Sequence, residues 1–364
     1  MKDCITWVGL DDSAKKINGA AFFGNELIAQ RQFVVENNDS GLGRLVKAMK
    51  SFPGEVRCVY EAGINGYFLQ RYLQRHGIKC EIAAPSLTPR KSGKRVKTDR
   101  LDAKDLARYY RSGDLTMITI PEQKQEDLRD LMRAREDALE DLQRSRHRLH
   151  RFLARRGIKF IGSKPWTGQH LQWIKRIHFD DPQCEMVLDE YRNALVEKME
   201  RLKRFDEAIL LLAKSPEYQP GVDCLMALKG IKELTAMTII AEAIDLRRFP
   251  DAPGFMAAIG LVPSERSSGE KEIRGSITRT GNSHLRRVLI ESAWHYQHRS
   301  VPGKSLQKRR TGIRPEVVEI ARKADNRLCK KYWRLIGKGK SKQTAAVAVA
   351  RELAGFIWAI GQVR

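Results

Sequence analysis

Strand-like and helix-like segments follow one another in a definite order over the first 120 residues. Residues 4–11, CITWVGLD, are an apolar run that ends in acid, and two further strand-like runs follow, joined by the turn residues Gly24 and Asn25. After a helical stretch come the strand VRCVYE, a second helical stretch, the strand CEIAA and a last helix that begins near Asp99. We therefore expect a mixed α/β sheet flanked by helices.

Three strands followed by helix, strand, helix, strand, helix is the order of an RNase H-like sheet. Asp11 and Glu61 end two strands that are adjacent in such a sheet, and Asp99 and Asp102 lie on one face of the last helix. Taken singly, each acid is an ordinary surface residue or helix cap. Together, four converging carboxylates repel one another unless cations neutralise them, and Mg²⁺ prefers carboxylate and water oxygens. The pattern predicts a metal site for phosphate chemistry.

Two neighbouring acids are expected to lie outside this metal site. Asp12 comes next on the strand, where successive side chains point to opposite faces. Asp105 lies one helical turn further along, where a salt bridge to Arg108 or Lys104 is its expected role.

The chain carries a large excess of positive charge, with 67 Lys and Arg against 44 Asp and Glu and a formal net charge of +23. This excess indicates a nucleic acid as the partner, because contacts to phosphates dominate affinity for DNA and RNA. An anionic membrane surface is the alternative, but the most apolar stretch, TAAVAVARELAGFIWAI, is broken by Arg351 and Glu352 and does not predict a membrane span. Six scattered cysteines without a CxxC pair indicate reduced thiols in a cytoplasm.

Two basic runs are candidates for contacts with a nucleic-acid backbone, the alternative for each being a solvated helix face. The first precedes and enters the acidic helix and consists of Arg90, Lys91, Lys94, Arg95, Lys97 and Arg100. The second follows further along the chain and consists of Arg144, Arg146, Arg148, Arg151, Arg155 and Arg156.

Helix-forming composition begins after the sheet region, and apolar residues there recur at alternating steps of three and four. One series runs from Leu128 to Phe152 and the other from Leu188 to Leu212. Two such helices, separated by a Gly- and Pro-bearing stretch, predict an antiparallel hairpin or an intermolecular coiled coil. The alternative is a helical domain that packs only on itself.

A third region begins after Pro220. Its first part, CLMALKGIKELTAMTIIAEA, resembles a helix-hairpin-helix, whose turn presents backbone N–H groups to phosphate, although Lys232 stands where the second turn glycine is expected. Gly260 to Asn282 follows as a Ser- and Gly-rich loop, and Ser283 is expected to cap the next helix.

Four sequence motifs resemble those of a known family. GLDDSAKK, YEAG, KTDRLDAKDLA and GLVPSERSSGEKEIRGSITRTGNSHLRR occur in the order and at the spacing typical of the DEDD transposases of the insertion sequence one-ten family. The resemblance covers nearly the whole chain. It implies a RuvC-like domain at residues 1–120, a coiled-coil linker at 121–219 and a C-terminal, mainly α-helical transposase domain at 220–364.

The resemblance also implies residue roles. The family's DEDD acids fall on the four carboxylates of the predicted metal site, and its nucleophilic serine falls on Ser268, with Ser267 and Ser264 as rivals. Four arginines are candidates for gripping DNA near the serine, with surface solubility as the alternative: Arg274, Arg279, Arg286 and Arg287.

The activity implied by the resemblance is recombination of donor and target DNA through a phosphoserine intermediate, guided by a structured noncoding RNA, the bridge RNA, and assisted by two Mg²⁺ ions at each acidic site. A homo-oligomer, dimer or tetramer, is implied, in a bacterial cytoplasm and associated with the nucleoid when acting. A metal-dependent structure-specific nuclease or Holliday-junction resolvase is the nearest alternative. A noncatalytic nucleic-acid-binding protein is the second.

Overall fold

The chain forms two compact units, residues 1–121 and 122–364. The computed structural model describes residues 4–89, 99–162, 164–268 and 271–363, without the side chains of residues 99, 100, 266–268 and 271–274. A further division of the second unit after residue 219 stays a prediction.

A five-stranded mixed sheet forms the centre of the first unit. Its elements are β1 (Ile5–Asp12), β2 (Lys16–Phe23), β3 (Arg31–Glu36), α1 (Asp39–Lys50), β4 (Glu55–Glu61), α2 (Phe68–Arg75), β5 (Lys79–Ala83) and α3 (Asp99–Ser112). The strand order is β3-β2-β1-β4-β5, with β1 antiparallel to β2 and parallel to β4. The predicted mixed sheet is thus confirmed, and its order is consistent with an RNase H-like domain.

The two faces of this sheet bury different helices, because alternate residues of a strand point to opposite sides. Val8 and Leu10 of β1 belong to a core that also contains Leu45 of α1 and Leu69 of α2. Trp7, on the other face, packs edge-to-face against Tyr110 of α3 at 5.1 Å between ring centroids. One face therefore belongs to α1 and α2, and the other to α3.

The second unit is mainly helical. Its elements are α4 (Gln123–Ala154), α5 (Gly168–Lys175), α6 (Pro182–Leu212), α7 (Gln219–Met226), α8 (Glu233–Ala243), α9 (Ala252–Ala258), β6 (Pro263–Ser268), β7 (Lys271–Ile277), α10 (Ser283–Ala293), α11 (Lys304–Arg310), α12 (Pro315–Gly337) and α13 (Lys342–Gly361).

Helices α4 and α6 pack against each other as an antiparallel hairpin. Near its base, Arg135 Nε lies 2.6 Å from Asp206 Oδ1, and near its tip the rings of Phe152 and Tyr191 lie 5.3 Å apart. The residue numbers rise along one helix as they fall along the other, which fixes the antiparallel direction. This hairpin is one of the two arrangements that the heptad spacing predicts, and an intermolecular coiled coil stays a prediction.

Helix α13 is the central helix of the C-terminal core. By length and composition it is the one helix in the described part of the chain that could cross a membrane. Its side chains Val349, Leu353 and Ile357 are nevertheless fully buried, and they share a core with Leu128 of α4 and Tyr332 of α12. The helix therefore packs as the interior of a globular unit.

Two local expectations for the third region were wrong. The Ser- and Gly-rich segment expected to be a loop instead contains β6 and β7, which pair antiparallel, with Ser268 opposite Lys271. The cap of α10 is Asn282 rather than Ser283, since the Asn282 side chain accepts a hydrogen bond from the Leu285 N–H at 2.9 Å. Strand pairing supplies the backbone hydrogen bonds that an irregular Ser-Gly stretch would leave to water.

Candidate functional site

Two of the predicted acids lie side by side at the carboxyl ends of neighbouring strands. Strands β1 and β4 are parallel, and their register pairs Gly9 with Val59 and Leu10 with Tyr60. Asp11 and Glu61 are the next residues on these two strands. Both are half-buried. The chain thus brings two carboxylates to one edge of the sheet.

Both acids lie on the face that α3 covers. Gly9 and Val59, each two residues earlier on its strand, face this helix. A Cβ atom placed on Gly9 would lie 2.0 Å from the carbonyl oxygen of Ala103, and Val59 shares a core with Leu106 of α3. Because side chains repeat with a period of two, Asp11 and Glu61 are on that same face.

Helix α3 runs so that its N-terminal turn is at the acidic end of β1. Tyr110, near the end of the helix, packs on Trp7, and Ala103 packs on Gly9. Asp11 comes two residues after Gly9 on the strand. The helical turn from Asp99 to Asp102 comes directly before Ala103. The helix therefore places its acidic first turn at the same sheet edge as the strand acids.

These acids are the donors that a hard divalent cation takes, since Mg²⁺ binds through one or two carboxylates plus water and substrate oxygens. Among the side chains that the structure describes, no group of three or more His, Cys, Asp or Glu forms a ready cation site. The side chain of Asp99 lies outside that description. The donor chemistry and the shared edge of Asp11 and Glu61 fit a divalent cation.

The two acids expected to lie outside the site each have other partners. Asp12 is on the opposite face, where its Oδ1 accepts hydrogen bonds of 2.9 Å from both Asn37 and Asn65. Burial raises the pKa of Asp12 above its usual value, against the lowering effect of these two hydrogen bonds. Asp105 forms an ion pair with Arg108 at 3.9 Å.

The basic runs are only partly described. Residues 90–98, which hold five of the six cations of the first run, lie outside the described residues, as does the side chain of Arg100. Arg148 and Arg151 of α4 are exposed, as are Arg155 and Arg156 directly after its last residue. Arg144 is also exposed and lies 3.2 Å from Glu140 one turn away. Five members of the second run are thus exposed on α4 or directly after it, and one of them is already paired.

Ser268 is the last residue of β6, at the end of the two-stranded β6–β7 ribbon. Its side chain and that of Ser267 lie outside the described side chains. Ser264, at the other end of the strand, is exposed, and its Oγ lies 2.4 Å from where a Cβ on Gly275 would stand. The choice of Ser268 over its rivals therefore stays a prediction.

The arginines expected near the serine are placed differently from one another. Arg279 is exposed and has a positive φ of 57°. Arg286 donates to the carbonyl oxygen of Ile259 at 2.9 Å, and Arg287 donates to Glu136 at 2.8 Å. The side chain of Arg274 lies outside the described side chains. Two of the four guanidinium groups are thus engaged inside the second unit.

A buried charge network that sequence reasoning missed joins α4 to the segment after β7. Glu242 of α8, whose side chain is 1% exposed, receives Arg133 through two hydrogen bonds of 2.8 and 3.0 Å. Asn282 donates to the same carboxylate at 2.6 Å while it caps α10. Arg129 lies 3.8 Å away. Glu242 thereby fixes the end of the segment that carries the β6–β7 ribbon.

Two family models match the chain. One, described as a transposase of the DEDD type named for IS110, matches residues 8–156. The other, described as the transposase IS116/IS110/IS902 family, matches residues 222–307. The first contains all four acids and the second contains Ser268.

Curated relatives extend the similarity over most of the chain. The protein y4qE of Sinorhizobium fredii, whose name describes a transposase, is 38% identical over 328 residues, which are 90% of this chain and 81% of the relative. The transposase for insertion sequence element IS1533 of Leptospira borgpetersenii is 31% identical over 92% of this chain and 97% of its own length. The transposase for IS1111A of Coxiella burnetii is 24% identical over 72% of this chain and 66% of its own length.

A transposase built on a DEDD-type N-terminal domain is the class to which both the sheet and these similarities point. Domains of this type depend on a divalent metal. Within the class, the chain belongs to the IS116/IS110/IS902 family. It is therefore an enzyme of transposition that acts on DNA.

Proposed function

We propose that this transposase cleaves and rejoins DNA through a phosphoserine intermediate on Ser268, with Mg²⁺ held by Asp11, Glu61, Asp99 and Asp102. The observation that carries the proposal is the adjacency of Asp11 and Glu61 at the edge where the acidic turn of α3 begins. Two strand-end carboxylates on one face repel each other at close range, and a bound cation relieves that repulsion. Bound Mg²⁺ supplies charge neutralisation at the attacked phosphate and assists loss of the nucleophile's proton.

In this proposal the acids hold the metal and Ser268 attacks the DNA. In the proposed step the Ser268 hydroxyl oxygen attacks the phosphorus of a DNA phosphodiester and loses its proton, because a neutral serine is a weak nucleophile. An O–P bond to serine forms as the bond to one DNA oxygen breaks, and that oxygen leaves as a hydroxyl. The hydroxyl freed on the cleaved strand of the other DNA then attacks the phosphoserine and releases the serine, so the phosphodiester is rebuilt without hydrolysis. Strand exchange in two rounds passes through a Holliday junction.

Guidance by a structured noncoding RNA and assembly into a dimer or tetramer are parts of the same proposal. They rest on the sequence resemblance together with the exposed cations of α4, which suit phosphate contacts. Acids of one subunit would then serve the serine of another, and the α4–α6 hairpin would contribute to the assembly. Donor and target DNA would be selected by base pairing, which requires no base-reading side chains.

Loss of a covalent adduct tests the serine. A plasmid that carries the element's ends, incubated with the protein and the adjacent noncoding RNA, should yield a protein–DNA adduct that survives denaturing electrophoresis. Ser268→Ala should abolish both adduct and recombinant product, whereas Ser264→Ala should retain them. Cleavage by Ser268→Ala at the wild-type rate would instead identify a nuclease in which water is the nucleophile.

Adjacent aspartates test the metal site separately. Asp11→Asn should lower recombination by at least about a hundredfold, because the amide is a poor ligand for Mg²⁺ and cannot neutralise it. Asp12→Asn is the matched control, since it makes the same change one residue away on the opposite face, and it should leave the rate within a few-fold. Equal losses in both variants would show that stability, not metal binding, governs the effect of Asp11.

A further inference from the structure

The tip of the α4–α6 hairpin contains a cavity of about 360 Å³ lined by aromatic side chains. Phe160 packs 4.7 Å from the ring of His170 and 5.2 Å from that of Trp173. Trp166 lies edge-on to His170 at 4.9 Å. The volume is near the lower end of the roughly 300–1,000 Å³ range of small-ligand pockets. A flat group the size of a nucleobase or nucleoside therefore suits it.

His170 gives this cavity a fixed polar group. The residue is 4% exposed, and its Nδ1 accepts the backbone N–H of Trp166 at 3.0 Å. Burial, together with the nearby His150, lowers the pKa of His170, so its ring is neutral at pH 7 and carries its proton on Nε2. Within the described residues no group pairs with Nε2, which leaves a hydrogen-bond donor in the lining of the cavity.

The backbone around the cavity is held in a costly conformation. Trp166 has a φ of +65°, a left-handed value that bulky residues rarely adopt. The guanidinium of Arg146 lies 5.4 Å from the indole centroid and supports the ring from α4. Such a conformation persists where the surrounding packing holds it, so the indole has a fixed position beside the cavity.

Charge identifies the class of ligand. Residues 142–179 include ten Lys and Arg and no Asp or Glu. Arg151, Arg155 and Lys159 are exposed beside residues that line the cavity. An aromatic pocket within a strongly basic segment is the arrangement that binds single-stranded nucleic acid, with stacking for bases and cations for phosphates.

We propose that this cavity, the tip pocket, takes one unpaired nucleobase from a single-stranded nucleic-acid segment whose phosphates lie along the exposed cations of α4. The base stacks on the aromatic lining, and one of its acceptor atoms receives the Nε2–H of His170. Paired bases of a duplex cannot enter, because their faces are covered by stacking. The inference rests on the proposal that the protein binds nucleic acid, and it is independent of the phosphoserine chemistry.

The test compares a base-bearing single strand with an abasic strand of the same length, each as RNA and as DNA, by fluorescence anisotropy. The wild type should prefer the base-bearing strand by about 5- to 150-fold, the range expected for one stacked base. Phe160→Ala and Trp173→Leu should reduce that preference to about twofold or less while affinity for the abasic strand stays unchanged. The tighter of the RNA and DNA strands identifies the source of the base.

Trp333→Ala is the control, because Trp333 is a 56% exposed aromatic on α12, outside the tip pocket. Thermal melting of each variant verifies folding. Variants that keep the wild-type preference, or a blunt duplex whose binding depends equally on Phe160, would overturn the tip pocket. If the wild type bound none of the strands, the nucleic-acid part of the proposed function would fall, and the tip pocket with it.

Discussion

At the scale of single residues, the alternation of side chains along a strand gives two adjacent aspartates different surroundings. Asp11 and Asp12 are identical in type and adjacent in sequence, yet one faces α3 and the other binds Asn37 and Asn65 across the sheet. Successive side chains of any strand point to opposite faces, so the opposite orientations of Asp11 and Asp12 could be predicted once β1 was recognised as a strand. Glu242 could not, because a carboxylate in an apolar helix is recognised as a buried ion-pair partner only once Arg133 and Asn282 are placed around it.

Glu242 should be among the most sensitive polar positions for stability. Glu242→Gln leaves the guanidinium of Arg133 and the nearby Arg129 without a buried counter-charge, and we expect the free energy of unfolding, measured in urea at pH 7, to fall by about 3 kcal/mol. Glu140→Gln is the control, since Glu140 is 60% exposed and its pair with Arg144 is worth little. Equal stability of the two variants would contradict a structural role for the network.

The same residue gives a pH dependence of definite sign. Burial alone would raise the pKa of Glu242, but hydrogen bonds from Arg133 and Asn282 outweigh it and the pKa lies below the usual value of 4.5. A carboxyl group with a lowered folded pKa stabilises the protein above its unfolded pKa and loses that contribution as the pH falls through the folded value. The stability difference between wild type and Glu242→Gln should therefore be full at pH 7 and shrink below about 4.5.

At the scale of elements, the strands and helices that could be predicted are those whose apolar residues recur at regular spacing. The strands of the first unit and the buried series of α4, including Leu142 and Leu149, follow simple spacings. Strands β6 and β7 were not predicted because PSERSS and KEIRGSI carry few apolar residues. Pairing across the ribbon, and not a buried apolar face, stabilises them. The sequence carries one signal for the tip pocket, which is that Phe160, Trp166 and Trp173 lie in a stretch without acids.

Close approach of α3 to β1 at Gly9 provides the test at this scale. A Cβ on Gly9 would lie 2.0 Å from Ala103 O and 2.6 Å from Ala107 N, so Gly9→Ala must push the helix away from the sheet. We expect a loss of about 3 kcal/mol in the free energy of unfolding, the upper range for overpacking. Recombination should fall further than stability alone explains, because the displaced helix carries Asp102.

Gly43 offers a matched comparison for this substitution. It lies within α1, and a methyl group added at its Cα would meet no neighbouring side chain or packed element within 4 Å. Gly43→Ala should therefore raise stability by about 0.5–1 kcal/mol through better helix propensity. Denaturant curves and recombination rates of both alanine variants make the comparison. Wild-type activity in Gly9→Ala would show that the position of α3 does not matter to the acidic site.

At the scale of the whole molecule, the net charge and the positions of the charges carry different information. The net charge of +23 indicates affinity for a polyanion but not where the polyanion lies. The four acids proposed to bind metal lie in the first unit, whereas the acid-free stretch of residues 142–179 lies at the hairpin tip of the second. A single chain thus separates a site suited to cations from a surface suited to phosphates, and only the second should govern salt sensitivity.

Salt dependence of nucleic-acid binding tests that separation. Replacing Arg148, Arg151 and Arg155 together by Gln should make the slope of log affinity against log salt concentration shallower by about 2 to 3, since each phosphate contact contributes about 0.7 to 0.9. The control triple replaces Arg44, Lys47 and Lys50 of α1, on the sheet face away from Asp11, and removes the same charge. That triple should leave the slope within about 0.5 of the wild-type value, because long-range attraction alone releases few counterions. Similar slopes for the two triples would show that net charge, and not the α4 surface, binds the phosphates.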